Sequence, residues 1–406
     1  MAIAQGINKS TIFRKQTGLG VVGAATAQKM RRESSTFNLA KSTFENKEIA
    51  AHQQSSGITH GLRSTTGTLS GVLSPNTYST LFGSLLRKTF TATAAQTGKS
   101  ITIGAATLGV YPLTVTSGTL LSGGFKVGDV IRLTVGSLNA ANISKNLLIT
   151  AIASETACSV RPVNGVALVA EGPTVGCTVT VVGKKSIAPL TGHTQEYWAV
   201  EEWYNDISVS DYFTDTVIGS ADIGLPSEGN ATVSFGFAGL EKTQSGTQVL
   251  TGATAETTTP VLTAVNGIVT VNGLAIGNVT GASIKIDCGA ANMGAVVGSD
   301  NSPDIQRGRI TVSGQLTAFF QDVAFSTLFD AATNFGIILV VAESQDAAAK
   351  FVSFSMSSVK FSGDSKDDGE KGLVATLPFT AQINANGGTA LANDQTIISI
   401  QDSDAA

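Results

Sequence analysis

The chain has 406 residues, 42% hydrophobic and only 14% charged, with a formal net charge of -4 at pH 7. Its mean hydropathy of +0.20 is apolar for a soluble protein, which is easier to understand if further copies of the chain cover much of its surface. The acidic balance argues against a dedicated nucleic-acid binder, no run approaches the roughly 18 apolar residues of a membrane helix, and three cysteines without a C-x-x-C pair offer neither a disulfide framework nor a thiolate metal site.

The N-terminus, MAIAQGINKSTIFRK, lacks the apolar core of a signal peptide, so assembly in a cytoplasm is expected. GLGVVGAA, Gly18 to Ala25, has the G-x-G-x-x-G spacing of a dinucleotide turn. That meaning requires a buried strand before it and an acidic residue about 20 positions on. The preceding NKSTIFRKQT is too polar for a central parallel strand, so residues 1–34 read as a flexible, glycine-rich arm.

Period-two alternation in TTGTLSGVL, ATVSFGF, RITVSGQLTAFF and VSFSMSSVKF predicts half-buried strands. A first helix is predicted in SPNTYSTLFGSLLRK, with Ser74 as N-cap, Pro75 at the first helical position, and Tyr78, Leu81, Phe82, Leu85 and Leu86 on one apolar face. From 91 to 192, FKVGDVIRLTV, KNLLITAIA and CTVTVVG make enough strands for a small barrel or sandwich. Its GDVIRL and NLLITAI segments resemble strand pairs of SH3-like or oligonucleotide-binding barrels. Its aromatic and basic residues (Tyr111, Phe125, Lys126, Arg132, Lys145, Arg161) are scattered, which favours an outward decorating module. VNGIVTVNGLAIG carries Asn-Gly turn signals at Asn266 and Asn272, and QDVAFSTLFDAAT repeats the helical stripe with Phe325, Leu328, Phe329 and Ala332.

The two helices are copies. A shift of 247 lays Gly61–Phe82 over Gly308–Phe329 without a gap, and seven of the 22 positions are identical, including Gly67 with Gly314, Leu69 with Leu316 and the whole STLF. Chance gives roughly one or two, so the chain reads as a duplication. The same shift sets Phe37 and Leu39 on Ile284 and Ile286, and the strand pair from Tyr212 resembles the one from Lys350. The expected organisation is a unit of 35–90 with 193–242, the insertion 91–192, and a second unit, 243–406.

Catalytic constellations are lacking. His52, His60 and His193 fall in no H-E-x-x-H, and no G-x-S-x-G elbow occurs. The carboxylates of EYWAVEEWYND and of GDSKDDGEK (Asp364, Asp367, Asp368, Glu370) come without the aromatics of a sugar cleft or the ligand ladder of a calcium loop, and the second group reads as a solvated turn.

The stretch from Gln28 to Phe90, with His60, Gly61, Arg63, Gly67, Leu69 and Ser70 in an H-G-x-R-x-x-x-G-x-L-S pattern, resembles the opening of tail tube (major tail) proteins of long-tailed, non-contractile bacteriophages. GFKVGDVIRL, NLLITAI, AEGPTVGCTVTVVGKK and IGLPSEGNATVSFGFAG extend the resemblance over nearly the whole chain. It implies a mainly β fold: two tandem tail-tube-type β-sandwich or barrel units, each with one flanking α-helix, plus an inserted small β-barrel domain on the tube exterior. It also implies a structural, non-enzymatic subunit without cofactor. Its rings stack into a virion tail, meet a tape measure protein and tail terminator or tip proteins, and pass phage DNA without specific binding; no membrane is involved. Duplication makes a trimeric ring with pseudo-sixfold symmetry the expectation, with a hexameric ring as the alternative.

The loops Lys41 to Ile58 and Asp287 to Asp304 are assigned to contacts between rings or subunits, through Phe44, Glu45, Glu48, His52, His60, Arg63, Asp300, Asp304 and Arg307. Acidic Glu201, Asp215 and Asp222 are expected at the lumen, where they repel phosphates. A β-rich surface adhesin or decoration protein is the alternative class, and it should carry an export signal.

Overall fold

The structure is a computed structural model describing residues 3–49, 51–52, 54, 57–321, 324–367, 372–384 and 395–405. It is mainly β, with two tandem β-sandwich units, each flanked by one helix, and an inserted closed barrel.

The first unit opens with the strand Lys9–Lys15, continues with the hairpin Ser34–Glu45 and Ile58–Val72, then helix α1 (Ser79–Leu86), and resumes after the barrel with Trp198–Tyr204, Val209–Pro226, Thr232–Gly239 and Glu241–Ser245. The second unit repeats this order: Thr263–Val271, Val279–Asp287, Thr311–Phe319, helix α2 (Ala324–Asp330), Phe335–Ala342, Phe351–Phe361 prolonged by Ser365–Lys366, Val374–Ala381 and Ser399–Asp402. Registers repeat as well. Phe37 faces Gly67 and Gly67 faces Phe237; 247 residues on, Ile284 faces Gly314 and Gly314 faces Phe379. Glycine stands at this position in both copies because a Cβ would lie 2.2 Å from the Phe37 ring at Gly67 and 2.4 Å from the Phe379 ring at Gly314.

The two units are fused edge to edge. The 18-residue strand Val209–Pro226 serves two sheets, its first half pairing with Trp198–Tyr204 and Glu241–Ser245, its second with Thr232–Gly239 and Val279–Asp287. One antiparallel sheet therefore crosses the whole chain through eight strand positions: Ser34–Glu45, Ile58–Val72, Thr232–Gly239, Val209–Pro226, Val279–Asp287, Thr311–Phe319, Val374–Ala381 and Phe351–Lys366. Beneath it lies one continuous apolar core containing Phe37, Leu69, Phe235, Ile284, Leu316 and Phe379.

The segment expected to be a flexible arm is largely part of the fold. Lys9–Lys15 pairs along its length with Trp198–Tyr204, and Ile12 and Phe13 are buried. GLGVVGAA makes a turn closed by a Gly18–Val21 bridge, in which Gly20 at φ +71° donates its N–H to Asp215 Oδ1 at 2.6 Å. No helix leaves it, so nothing here cradles a pyrophosphate.

Helix α1 begins later than the sequence suggests. Ser74 bonds the Thr77 hydroxyl at 2.6 Å instead of capping, and Asn76 adopts φ 65° while donating its N–H to Asp402, so the chain turns once more before Ser79. Of the two Asn-Gly signals, Asn272–Gly273 makes the turn into Leu274–Ala275, both residues at positive φ. Asn266–Gly267 falls instead in the irregular stretch between Thr263 and Ile268 of one strand.

The inserted barrel closes through Gln96–Ile103, Tyr111–Thr116, Ala157–Pro162, Leu147–Ile152, Val130–Thr134 and Glu171–Val181 around its own apolar core. Although inserted in the first unit, it seats on the second, with Val130, Leu148, Val163 and Val182 packed against Ile338, Val340 and Phe351. The Gln401 amide donates to the carbonyls of Val130 and Val182 at 2.9 and 2.7 Å and accepts the Val130 N–H at 2.8 Å. Lys184–Ile187, leaving the barrel, pairs with Ser399–Asp402.

At the end of that last strand, burial pushes the Asp402 carboxyl up to about 6. The N–H groups of Asp404 and Asn76 and the charge of Lys350 oppose the rise, and the Asp404 carboxylate adds to it. The folded chain thus holds this proton at a pH where the unfolded aspartate, near 3.9, has lost it. Stability contributed here is greatest below about pH 4 and falls as pH rises through 6. Asp402→Asn is expected to remove that part of the pH dependence, read as denaturant midpoints at pH 4.5 and 7; equal slopes in the two proteins would count against it.

Candidate assembly surface

On the long sheet every second side chain points away from the core. Thr36, Asn38, Thr66, Thr68, Ser70, Ser234, Ser220, Ser283, Ser313, Gln315, Thr317, Thr376 and Thr380 form this face, register to register, across both units. Hydroxyls bond across strands, Thr36 to Thr68 and Ser70 to Ser234, both at 2.8 Å. The charged side chains at its paired positions are Asp222 and Asp287 against Lys285 and Lys360, so it is polar and close to neutral.

The ends of this sheet matter as much as its face. Internally, the units join by pairing Ser220–Pro226 with Gly281–Asp287, which sets Asp222 opposite Lys285. Through their common partners the corresponding segment of the second unit is Ser362–Asp367, with Ser365 facing Thr376 as Asp222 faces Ser234. Its other edge pairs with no strand among the described residues. The same holds for Ser34–Glu45, the counterpart of Val279–Asp287. The chain thus ends in two open edges of the kinds it joins internally.

Of the acidic groups expected at the lumen, only Asp222 lies on the exposed face. Glu201 is fully buried and accepts hydrogen bonds from Ser210 Oγ and the N–H groups of Val249 and Leu250. Asp215 is buried at an irregularity in its strand, taking the Gln16 amide at 3.0 Å besides Gly20. Both sit where the opening strand and the linker cover the strand pair, which local sequence does not announce.

The loop residues divide. Phe44, Glu45, Glu48, His52 and His60 are exposed on the projecting hairpin. The Arg63 guanidinium meets Asp300 at 2.8 Å and Glu241 at 3.7 Å, while the Arg63 N–H donates to the Asp300 carbonyl at 2.7 Å. The guanidinium hydrogen bond and charge hold the Asp300 carboxyl below the usual aspartate range, and the two contacts together bring the two long loops to one end. There Phe44, Ile49, Ile58, Met293, Val296 and Val297 are exposed. Asp304 and Arg307 are engaged within the chain instead: Tyr197 donates to Asp304 at 2.8 Å, and Arg307 donates to the Glu196 carbonyl and lies over the Tyr197 ring.

Tyr78, Leu81 and Phe82 are buried around α1, as the stripe predicts. On α2, Phe325 and Leu328 are half-buried, but Phe329, at the repeat position of Phe82, is exposed. Phe82 contacts both Phe235 of its own unit and Phe354 of the other, a ring cover that Phe329 lacks among the described residues. Sequence reasoning also missed exposed Phe319, Phe320 and Leu373; Phe319 and Phe320 close an otherwise alternating strand, which was the available signal.

Asp364, expected in a solvated turn, is instead largely covered and accepts from Ser326 and Lys366, whereas exposed Asp367 takes the Val374 N–H; Asp368 and Glu370 lie outside the described residues. Among the described residues, no helix is long and apolar enough to cross a membrane, and no cluster of histidine, cysteine and acidic groups is arranged to hold a metal.

A duplicated sheet unit with complementary open edges and a small-polar face defines a structural protein built for repetition. The family model for phage tail tube proteins matches residues 8–381, and the chain belongs to that family, whose members are structural components of the virion tail. No curated protein matches it.

Proposed function

We propose that the chain is the tail tube subunit that closes into rings by continuing its own sheet from copy to copy, three chains to a ring. The observation that carries this is the internal joint, because it is a template for the external one. Carrying Asp222 opposite Lys285 into the repeat sets Ser365 of one copy opposite Asn38 of the next, with Lys366 opposite Phe37. Three eight-strand runs spaced about 4.8 Å apart close a barrel on the order of 40 Å across between backbones. Closure removes every open edge.

In this reading the small-polar face lines the bore, and 91–192 forms the exterior module between 35–90 and 193–242. A near-neutral hydroxyl surface offers phosphates no cation cluster to hold them, so a duplex passes without specific binding. The exposed apolar loops beside Arg63 and Asp300 meet the next ring, and the tube ends meet tape measure and terminator proteins after assembly in the host cytoplasm.

Negative-stain microscopy with mass photometry tests the reading. Hollow rings of three chains are expected. Rings of six chains would refute the stoichiometry, and a protein that stays monomeric at high concentration with both edges open would refute sheet closure.

A further inference from the structure

One backbone site occurs in both units and, among the described residues, is filled in only one. In the first unit, Leu73 donates its N–H to the Ala231 carbonyl at 2.7 Å; at the repeat positions, Phe320 donates to the Leu373 carbonyl at 2.9 Å. Leu262, immediately before the second unit's opening strand, completes the first of these sites. Its N–H donates to the Leu73 carbonyl at 3.0 Å, its carbonyl accepts the Ala231 N–H at 2.9 Å, and its side chain is fully buried. In the second unit the Phe320 carbonyl and the Leu373 N–H have no hydrogen-bond partner among the described residues. Phe319, Phe320 and Leu373 around them are 51%, 39% and 40% exposed.

The segment that precedes the first unit's opening strand, as Leu262 precedes the second's, is Ile3–Asn8. Its Ile3 and Ile7 are 87% and 88% exposed, and it is tied to its own chain by polar contacts: the Gln5 N–H and the Asn8 amide donate to half-buried Asp206, Arg32 donates to the Gly6 carbonyl, and the Asn205 N–H donates to the Asn8 carbonyl. In a ring joined by the internal template, the next copy's first unit stands to Phe320 as this chain's second unit stands to Leu73.

We infer that Ile3–Asn8 of one copy straps onto the second unit of its neighbour, its backbone bridging the Phe320 carbonyl and the Leu373 N–H and Ile7 taking the place of Leu262 over Phe319 and Phe320. The strap rests on the ring reading and deepens it. It supplies apolar contact where the sheet joint supplies hydrogen bonds, and it pairs two backbone groups that have no partner among the described residues. Both partners are exposed in the single chain, so substitutions there spare the fold.

Full-length protein carrying Ile7→Cys and Phe320→Cys is assembled, oxidised and run without reductant, beside a reference pair at the sheet joint, Asn38→Cys with Ser365→Cys. The native Cys158, Cys177 and Cys288 are buried and supply the background. The strap predicts intermolecular disulfides in the 7/320 protein and none in either single variant. Rings that cross-link at 38/365 but not at 7/320 would overturn the strap and leave the ring standing. Failure to form rings or to cross-link at either pair would overturn both.

Discussion

Oxidising rings that carry Asn38→Cys and Ser365→Cys is expected to convert most of the protein into covalent dimers and trimers, with no larger species. Directly opposed residues on antiparallel strands have Cα atoms about 4.5 or 5.5 Å apart, according to whether the pair is hydrogen-bonded, and both separations fall within disulfide range. The register comes from the chain's own joint, where Asp222 faces Lys285, so moving one cysteine a single residue along its strand should turn it to the other face and abolish the bond. A ladder reaching six chains would mean hexameric rings. Cross-linking at the shifted position, and not at 365, would mean that the joint between copies does not repeat the joint within them.

Glu201→Ala is expected to lower the unfolding free energy by about 3–5 kcal/mol, measured by denaturant titration of dilute, unassembled protein. The side chain has no exposure and accepts from Ser210 Oγ at 2.6 Å and from the Val249 and Leu250 N–H groups at 2.7 Å each. Truncation strands the buried Leu250 N–H and the part-buried Val249 N–H and leaves a cavity. Glu201→Gln, which keeps one acceptor but turns an N–H₂ toward a donor, should fall between. The carboxylate fastens the start of the linker between the units to the strand Trp198–Tyr204, so the loss should extend to the contact between units. A cost below about 1 kcal/mol would show that the segment re-pairs with water.

The repeat was legible because the same packing problem occurs twice. Gly67 and Gly314 each clear a cross-strand phenylalanine ring, and the STLF helices follow equivalent strands. The barrel was legible from its alternation. Covers that come from distant chain were not. Glu201 reads as a surface carboxylate in EYWAVEEWYND, and only the arrival of Val249 and Leu250 buries it. Phe82 and Phe329 sit in identical tetrapeptides yet differ in exposure, because Phe354 reaches the first from the other unit. The open edge at Ser365 was hidden in a charged turn that resembles any solvated loop. It becomes recognisable only when its register is compared with that of Asp222.

The seat of the inserted barrel on the second unit bears on how an assembled tube yields to load. Within each chain the joint between units is braced from behind by the barrel, through Gln401 and the pairing of Lys184–Ile187 with Ser399–Asp402. Between chains no such brace is available, since only four residues separate α2 from Phe335, leaving no inserted module to span the seam. In the proposed three-chain ring, stiff and compliant joints would therefore alternate. Bending strain would collect at three seams per ring, with the paired units inside each chain moving as rigid staves.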